Sequence, residues 1–166
     1  MSVRNANGDT RRVQTIESFY REHARSVFAF LLSLTRDRML AEDLTQDTFI
    51  KATRSLSGFR GGNPRSWLFT IARSVFIDHS RKRRAVPAEA VDRAVPGGPD
   101  IEERELIDAI LTRLPEGQRM ALLLVDQAGM TYAEMAGVVG VSPNAAKGLL
   151  HRARHNFRTA YQEANP

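Results

Sequence analysis

Cysteine is absent from the 166-residue chain. This absence excludes a disulfide framework and thiolate-bound metal sites, which include most zinc modules. No stretch reaches the ~20 apolar residues needed to cross a bilayer. The opening residues, MSVRNANGDTRR, also lack the apolar segment of a secretory signal. We therefore expect a cytoplasmic protein whose fold depends on side-chain packing alone.

Motifs of the common nucleotide-binding and hydrolytic enzymes are also missing. Neither G-x-x-x-x-G-K-[ST] nor G-x-G-x-x-G occurs, and the Ser, His and Asp residues are scattered without a nucleophile motif. His151 and His155 have a helical spacing that can hold zinc, but the neighbouring sequence offers no third ligand. We therefore expect no enzymatic activity, no cofactor and no bound metal.

The charge of the chain is unevenly distributed. Residues 1–84 hold sixteen Lys and Arg against eight Asp and Glu, whereas residues 85–102 hold one against four and residues 103–166 hold seven of each. A basic first half suggests a polyanionic partner such as nucleic acid. A solvated basic surface explains the same excess, so charge alone does not decide between the two.

Proline and glycine divide the chain into two parts. Residues 85–102, AVPAEAVDRAVPGGPDIE, contain three of the seven prolines and two adjacent glycines, which predicts an acidic linker. Residues 13–84 and 103–166 are the predicted domains, and residues 1–12 are predicted to be a disordered tail. Apolar residues recur at three- and four-residue steps in both domains, and no run alternates as in a strand. The sequence therefore predicts an all-α protein of two small helical domains joined by a flexible linker.

The second domain carries the spacing of a helix-turn-helix. Thr131 and Glu134 form a capping box, Gly140 ends the short helix, and Ser142 with Pro143 begins the next one. The second helix of such a motif enters the DNA major groove. An antiparallel helix pair with a solvated basic face is the alternative interpretation.

Two features of the first domain suggest partners. A helix predicted over residues 39–56 places Ile50 among acidic side chains, which indicates a protein-docking surface, although single exposed apolar residues are common. A helix predicted over residues 64–84 places Trp67, the only tryptophan, between an apolar and a basic face. Aromatic rings beside cations bind unpaired bases by stacking, whereas a core-anchoring tryptophan is the alternative.

Together these segments resemble the extracytoplasmic-function (ECF) sigma factors of the sigma-70 family, small initiation subunits of bacterial RNA polymerase. AEDLTQDTFIKA (41–52) and FRGGNPRSWLFTIARSVFIDHSRKRR (59–84) resemble the sigma-2 domain, and LPEGQRMALLLVDQAGMTYAEMAGVVGVSPNAAKGLLHRAR (114–154) resembles the sigma-4 domain. The resemblance implies an alternative sigma factor that directs core polymerase to promoters, reads duplex DNA at the −35 element and opens the −10 element. A stand-alone helix-turn-helix regulator and a protein-interaction adaptor are the rival interpretations.

The resemblance also implies which residues make each contact. The −10 contacts are expected from a loop and the basic helix after it: Phe59, Arg60, Asn63, Trp67, Thr70, Arg73, Ser74, Ile77, Asp78, Arg81 and Lys82. The −35 contacts are expected from the second domain: Arg119, Tyr132, Ser142, Asn144, Lys147, Gly148, His151, Arg152 and Arg154. Contacts with the clamp helices of the polymerase β′ subunit are expected from the acidic helix: Asp43, Gln46, Asp47 and Ile50. The polymerase β flap and an anti-sigma factor are further implied partners, with no membrane insertion.

Three positions bear on DNA recognition. Ser74 stands where many family members have asparagine, which shortens the polar reach of the −10 helix. Leu149 replaces an expected arginine; leucine can touch a thymine methyl group but cannot bind guanine bidentately, which removes roughly 1–3 kcal/mol of discrimination. Gly148 costs about 1 kcal/mol of helix stability relative to alanine, and close approach of a DNA backbone is the expected reason for it.

Overall fold

The computed structural model describes residues 3–85 and 101–166. Those residues form seven α-helices and no strand, which confirms the predicted all-α class. The helices are α1 Val3–Thr35, α2 Arg38–Ser55, α3 Pro64–Arg84, α4 Ile101–Arg113, α5 Glu116–Leu122, α6 Tyr132–Val139 and α7 Pro143–Ala164. A 3₁₀ turn, Leu56–Gly58, follows α2, and a π-helical segment, Leu123–Gln127, follows α5.

The first three helices pack around aromatic and aliphatic side chains. Phe30 of α1 and Phe69 of α3 are fully buried, and their ring centroids lie 5.3 Å apart. Leu44 and Phe49 contribute the apolar side of α2. Fully burying one such side chain stabilises the fold by roughly 1.5–3 kcal/mol, so this shared interior holds the three helices together.

Capping side chains set the start of each helix that carries predicted site residues. Asp37 accepts a hydrogen bond from the Leu40 backbone at the start of α2. Asn63 accepts from the backbone of Arg65 and Ser66, and Pro64 occupies the first turn of α3, as the sequence predicted. These caps fix where α2 and α3 begin.

The helix-turn-helix predicted in the second half is present. The Thr131 hydroxyl accepts from the Glu134 backbone, and the Glu134 carboxylate accepts from the Thr131 backbone, so the capping box is complete. Gly140 has a φ of 79°, a left-handed conformation that favours glycine. Ser142 then caps α7.

The helical run from α5 toward Gly129 changes its hydrogen-bond pattern part of the way along. The backbone of Ala128 donates to Leu123, five residues earlier, and Met130 donates to Leu124 across the end of the segment. Leu123 and Leu124 are buried. The wider turn is typical of a π-bulge, which simple apolar periodicity does not reveal.

Helix α1 begins at Val3, within the residues 1–12 that the sequence predicted to be a disordered tail. Residues 8–14 are exposed, so packing does not hold them in place. Once the buried part of α1 has formed, each further residue adds a backbone hydrogen bond without a new nucleation cost.

The two halves of the chain pack against each other. Helix α3 lies against α6, and α1 lies against the π-helical segment. Gln127 Nε2 donates to Ser33 Oγ at 2.9 Å, Asn63 donates to Glu134, and buried residues of both halves form one continuous apolar cluster. The two small helical domains predicted from the sequence are therefore in contact with each other. Most of the predicted linker, residues 86–100, lies outside the described residues.

Candidate nucleic-acid interface

Helix α7 has one buried side and one exposed basic side. Ala146, Leu150 and Ala153 are buried at four- and three-residue steps. Three basic side chains predicted to contact the −35 element, Lys147, His151 and Arg152, are exposed, as are Tyr132, Ser142 and Asn144. A concave surface is lined by Tyr132, Lys147, Leu150, His151, Arg154, His155 and Arg158. This surface combines the cations and hydrogen-bond donors that a helix in the major groove needs.

Arg154 differs from the other cations because the protein itself binds it. Its Nε and one terminal nitrogen lie 3.2 and 2.5 Å from the two Asp126 carboxylate oxygens, and another nitrogen lies 3.5 Å from the Tyr132 hydroxyl. The hydrogen bonds that Arg154 donates to Asp126 and Tyr132 raise the pKa of Arg154 above its ordinary value. Arg154 therefore braces α7 against the π-helical segment and the start of α6.

Arg119 lies partly inside the second half. Burial lowers the pKa of Arg119, and nearby Glu116 acts in the opposite direction. Its Nε is buried without a hydrogen-bond partner among the described residues. Arg119 is only partly exposed, so it presents less surface to a ligand than the exposed basic residues of α7 do.

Gly148 and Leu149 occupy different environments on α7. A Cβ at Gly148 would meet only the flexible guanidinium of Arg152, at 3.3 Å, so packing within the described residues does not require glycine there. Leu149 is partly buried and packs against the apolar cluster. Contact between Leu149 and a thymine methyl group therefore competes with its packing inside the protein.

Three aromatic rings meet at the start of α3. The Trp67 centroid lies 5.0 Å from Phe59 and 6.2 Å from Phe19, and Phe19 and Phe59 lie 5.5 Å apart. Trp67 is half-buried, as its border position predicted. The loop between Phe59 and α3 turns at Gly61 and Gly62, which have φ values of 69° and 154°. Arg60 and Asn63 of this loop are exposed. The contact between Phe59 and Trp67 places the predicted loop next to the only tryptophan.

The other predicted −10 residues line α3 at different depths. The exposed members are Thr70, Asp78, Arg81 and Lys82. Ser74 is half-buried and accepts a hydrogen bond from Lys51 of α2. Ile77 packs partly against the apolar cluster, and Arg73 has its Nε buried without a partner among the described residues. Ile77 and Arg73 therefore present less surface to a ligand than the exposed members do.

The residues predicted to dock on the polymerase share one side of α2. Asp43, Gln46, Asp47 and Ile50 are all exposed, at three- and four-residue spacing. Ile50 keeps 49% of its surface exposed, so its predicted exposure is confirmed. We call these four residues the acidic strip. An acidic strip that contains an apolar side chain suits a protein partner better than it suits DNA, because carboxylates repel phosphate.

Sequence reasoning missed Lys51 and Asp126. Lys51 lies beside the acidic strip and reaches α3, and Asp126 holds Arg154. Local periodicity gives no signal for either contact, because the partners are 23 and 28 residues away in the chain.

Across residues 3–85 and 101–166, no three His, Asp or Glu side chains converge as metal ligands. In the same ranges, the helices fall short of the length and apolar character that a membrane span requires.

Comparisons with known proteins agree with this architecture. Residues 19–86 match the family Sigma-70 region 2, and residues 104–156 match Sigma-70, region 4. The ECF RNA polymerase sigma factor SigM of Bacillus subtilis is 32% identical over 155 residues, which cover 89% of this chain and 95% of SigM. The ferric citrate uptake sigma factor FecI of Escherichia coli is 34% identical over 162 residues, covering 89% and 92% of the two chains.

Solved structures also resemble this one. The sigma factor RpoE, solved in complex with the anti-sigma factor NepR from Bartonella quintana, superposes with a TM-score of 0.78 at 28% identity, covering 90% of this chain and 98% of RpoE. Since relatives above 30% identity align over nearly their whole length, family membership is shown. The chain belongs to the ECF sigma factors of the sigma-70 family, the alternative initiation subunits that direct bacterial core RNA polymerase to specific promoters.

Proposed function

We propose that the two halves of this sigma factor recognise a promoter in two chemically different ways. The first half takes up unpaired bases of the −10 element at the Phe59 loop and Trp67, and the exposed side of α7 reads intact −35 duplex. One observation supports the proposal above all: the chain contains two different kinds of surface that suit DNA binding. The first half has a half-buried aromatic cluster at the start of a basic helix, and the second half has a capped helix-turn-helix. Stacking suits single strands, and a helix in the major groove suits duplex.

The acidic strip on α2 supports a docking role for the first half. We assign Asp43, Gln46, Asp47 and Ile50 to the clamp helices of the polymerase β′ subunit, and the second half to the β flap. In this scheme the polymerase performs the chemistry and the sigma factor has no enzymatic activity of its own. The protein acts in the cytoplasm, where polymerase and promoter DNA are found.

An anti-sigma factor is the proposed inhibitor. RpoE was solved with the anti-sigma factor NepR, and a second similar structure is CnrH in complex with the cytosolic domain of CnrY, at a TM-score of 0.71 and 26% identity. The exposed docking and DNA-binding surfaces described above are the ones that an inhibitor needs to cover.

Promoter-dependent transcription by core polymerase, with and without this chain, tests the proposal. We expect specific transcripts only when the chain is present, and no tight binding to promoter duplex without core polymerase. Core-independent binding to a duplex operator, without stimulated transcription, would instead support a stand-alone helix-turn-helix regulator. Inactivity in both assays would support a protein-interaction adaptor.

A further inference from the structure

Lys51 connects the helix assigned to polymerase docking with the helix assigned to −10 recognition. It follows Ile50 on α2, and its Nζ donates to Ser74 Oγ on α3 at 2.9 Å. The same Nζ lies 3.9 Å from Asp78 Oδ2, one turn further along α3. All three side chains remain accessible: Lys51 and Asp78 keep 46% and 58% of their side-chain surface exposed, and Ser74 is half-buried.

The contact with Ser74 changes what that hydroxyl offers to a base. A serine hydroxyl carries one donor and two acceptor lone pairs, whereas an ammonium group has three donors and no acceptor. Lys51 therefore occupies one lone pair of Ser74 and leaves the O–H free to donate to an acceptor atom on a ligand. At the base edge that faces Ser74, the geometry favours a carbonyl oxygen or a ring nitrogen lone pair over an amino group.

The contact with Asp78 changes the local electrostatics. An exposed carboxylate on a DNA-binding helix repels the phosphate backbone. An ammonium group 3.9 Å from Asp78 Oδ2 offsets that repulsion without a direct phosphate contact. Asp78 can then approach a single strand at a smaller electrostatic penalty.

We infer that Lys51 is a positioning residue for −10 specificity: it presents Ser74 as a hydrogen-bond donor and screens Asp78. The inference rests on the proposed role of α3 in reading the −10 element. It adds a residue of α2 to that reading, and it predicts a preference at one −10 position for a base with an acceptor at the contacted edge.

The test measures binding of single-stranded −10 oligonucleotides, each with one base changed, to holoenzyme assembled from core polymerase and the full chain. Lys51→Met removes the charge and both contacts while keeping the side-chain length. We expect it to weaken binding by up to about fivefold, the upper end of the range for one exposed ion pair. We also expect a changed base preference at one position only, the position that Ser74→Ala changes. Lys51→Arg keeps a cationic donor and should retain the parental preference.

Two double variants separate the two contacts. In the Asp78→Asn background, Lys51→Met should reduce affinity by less than about twofold, because no carboxylate remains to be screened. In the Ser74→Ala background, Lys51→Met should leave the base preference unchanged. The matched control is Arg54→Met, which removes an equal charge from the exposed last turn of the same helix.

The outcomes distinguish this inference from the proposed function. If the parent holoenzyme discriminates among −10 bases but Lys51→Met shows the same profile, the inference is overturned and the proposed function stands. It is also overturned if Lys51→Met and Arg54→Met weaken all oligonucleotides equally, or if Lys51→Met weakens only the assembly with core polymerase. If the parent shows no base preference at −10, the proposed role of α3 fails, and the role of Lys51 fails with it.

Discussion

At the scale of single residues, Trp67 combines two roles that a substitution can separate. Its ring packs on Phe19 and Phe59 and still reaches solvent, so it contributes to the fold and remains available to a base. Stacking of a base on an aromatic side chain contributes about 1–3 kcal/mol. We expect Trp67→Ala to reduce transcription from duplex promoters strongly, and from pre-melted promoters much less. The measurement is transcript yield on matched duplex and pre-melted templates.

The conservative variant distinguishes stacking from folding. Trp67→Phe keeps an aromatic face and should recover most duplex transcription. Equal losses on duplex and pre-melted templates for Trp67→Ala would argue against a role in opening. A loss of helical circular dichroism in Trp67→Ala would show that the loss of transcription results from unfolding and not from lost stacking.

His23 makes the stability of the first half sensitive to pH. Its Nε2 is buried and makes no hydrogen bond within the described residues, although a Glu22 carboxylate oxygen lies 3.5 Å away. Burial lowers the pKa of His23 below the ordinary 6.5, Glu22 opposes that shift and Arg65 adds to it. The unfolded chain therefore binds a proton at a pH where the folded chain does not. We expect the free energy of unfolding to fall as pH drops below about 6.5, and to be fully retained above it.

Denaturant unfolding between about pH 7.5 and 5.5 measures this effect. His23→Gln removes the titrating group and should reduce the pH dependence across that window. His155→Gln, at an exposed position of α7, should keep the parental dependence. An identical slope for His23→Gln and the parent would assign the pH dependence to other groups.

At the scale of elements, two glycines three residues apart should respond oppositely to the same substitution. Gly140 has a φ of 79° in the turn between α6 and α7, whereas Gly137 lies inside α6 with open space where a Cβ would be. A left-handed conformation costs a non-glycine residue about 1–2 kcal/mol. Alanine inside a helix is favoured over glycine by about 1 kcal/mol. We expect Gly140→Ala to lower, and Gly137→Ala to raise, the free energy of unfolding measured by denaturant titration.

The same two variants can be compared in function by measuring how tightly holoenzyme assembled with each of them binds a −35 duplex. Gly140→Ala should weaken that binding, because the turn sets the angle of α7, and Gly137→Ala should leave it near the parental value. Equal stability of the two variants would show that the left-handed conformation at residue 140 does not require glycine.

Helix positions were predictable where the signal is local. Pro64, Thr131 and Ser142 mark helix starts through chemistry within four residues, and the structure places those starts as predicted. The π-helical segment was not predictable, because apolar residues at three- and four-residue steps give the same pattern for one continuous helix. The Arg154–Asp126 pair was also missed, because it depends on how α7 meets a distant segment.

At the scale of the whole molecule, the packing of the two halves was not predictable from sequence. The two halves meet at a seam between α3 and α6. In the sequence, the residues on either side of this seam look like ordinary amphipathic positions within their own domains. Their contact brings Asn63 of the predicted −10 loop to Glu134 in the capping box of the helix-turn-helix. Periodicity shows which side of a helix is apolar, but not which of two neighbouring domains covers it.

This arrangement conflicts with simultaneous reading of both promoter elements. Elements named for positions about 25 base pairs apart are separated by about 85 Å on straight duplex, at about 3.4 Å per base pair. Two halves that pack together along α3 and α6 cannot hold their −10 and −35 surfaces that far apart. The proposed function therefore requires the seam between α3 and α6 to open on the promoter.

The halves also meet where α1 contacts the π-helical segment, and a crosslink there would keep the seam closed. The absence of cysteine from the natural sequence makes such a crosslink specific. The Ser33 and Gln127 side chains lie 2.9 Å apart, so a short bis-maleimide should join the halves of a Ser33→Cys, Gln127→Cys variant. We expect the crosslinked protein to lose promoter-dependent transcription and the untreated variant to keep it. Gln118→Cys with Asn156→Cys, whose parental side chains lie 2.8 Å apart within the second half, is the matched control and should remain active after crosslinking. Full transcription by the seam-crosslinked protein would mean that the halves read a promoter without separating.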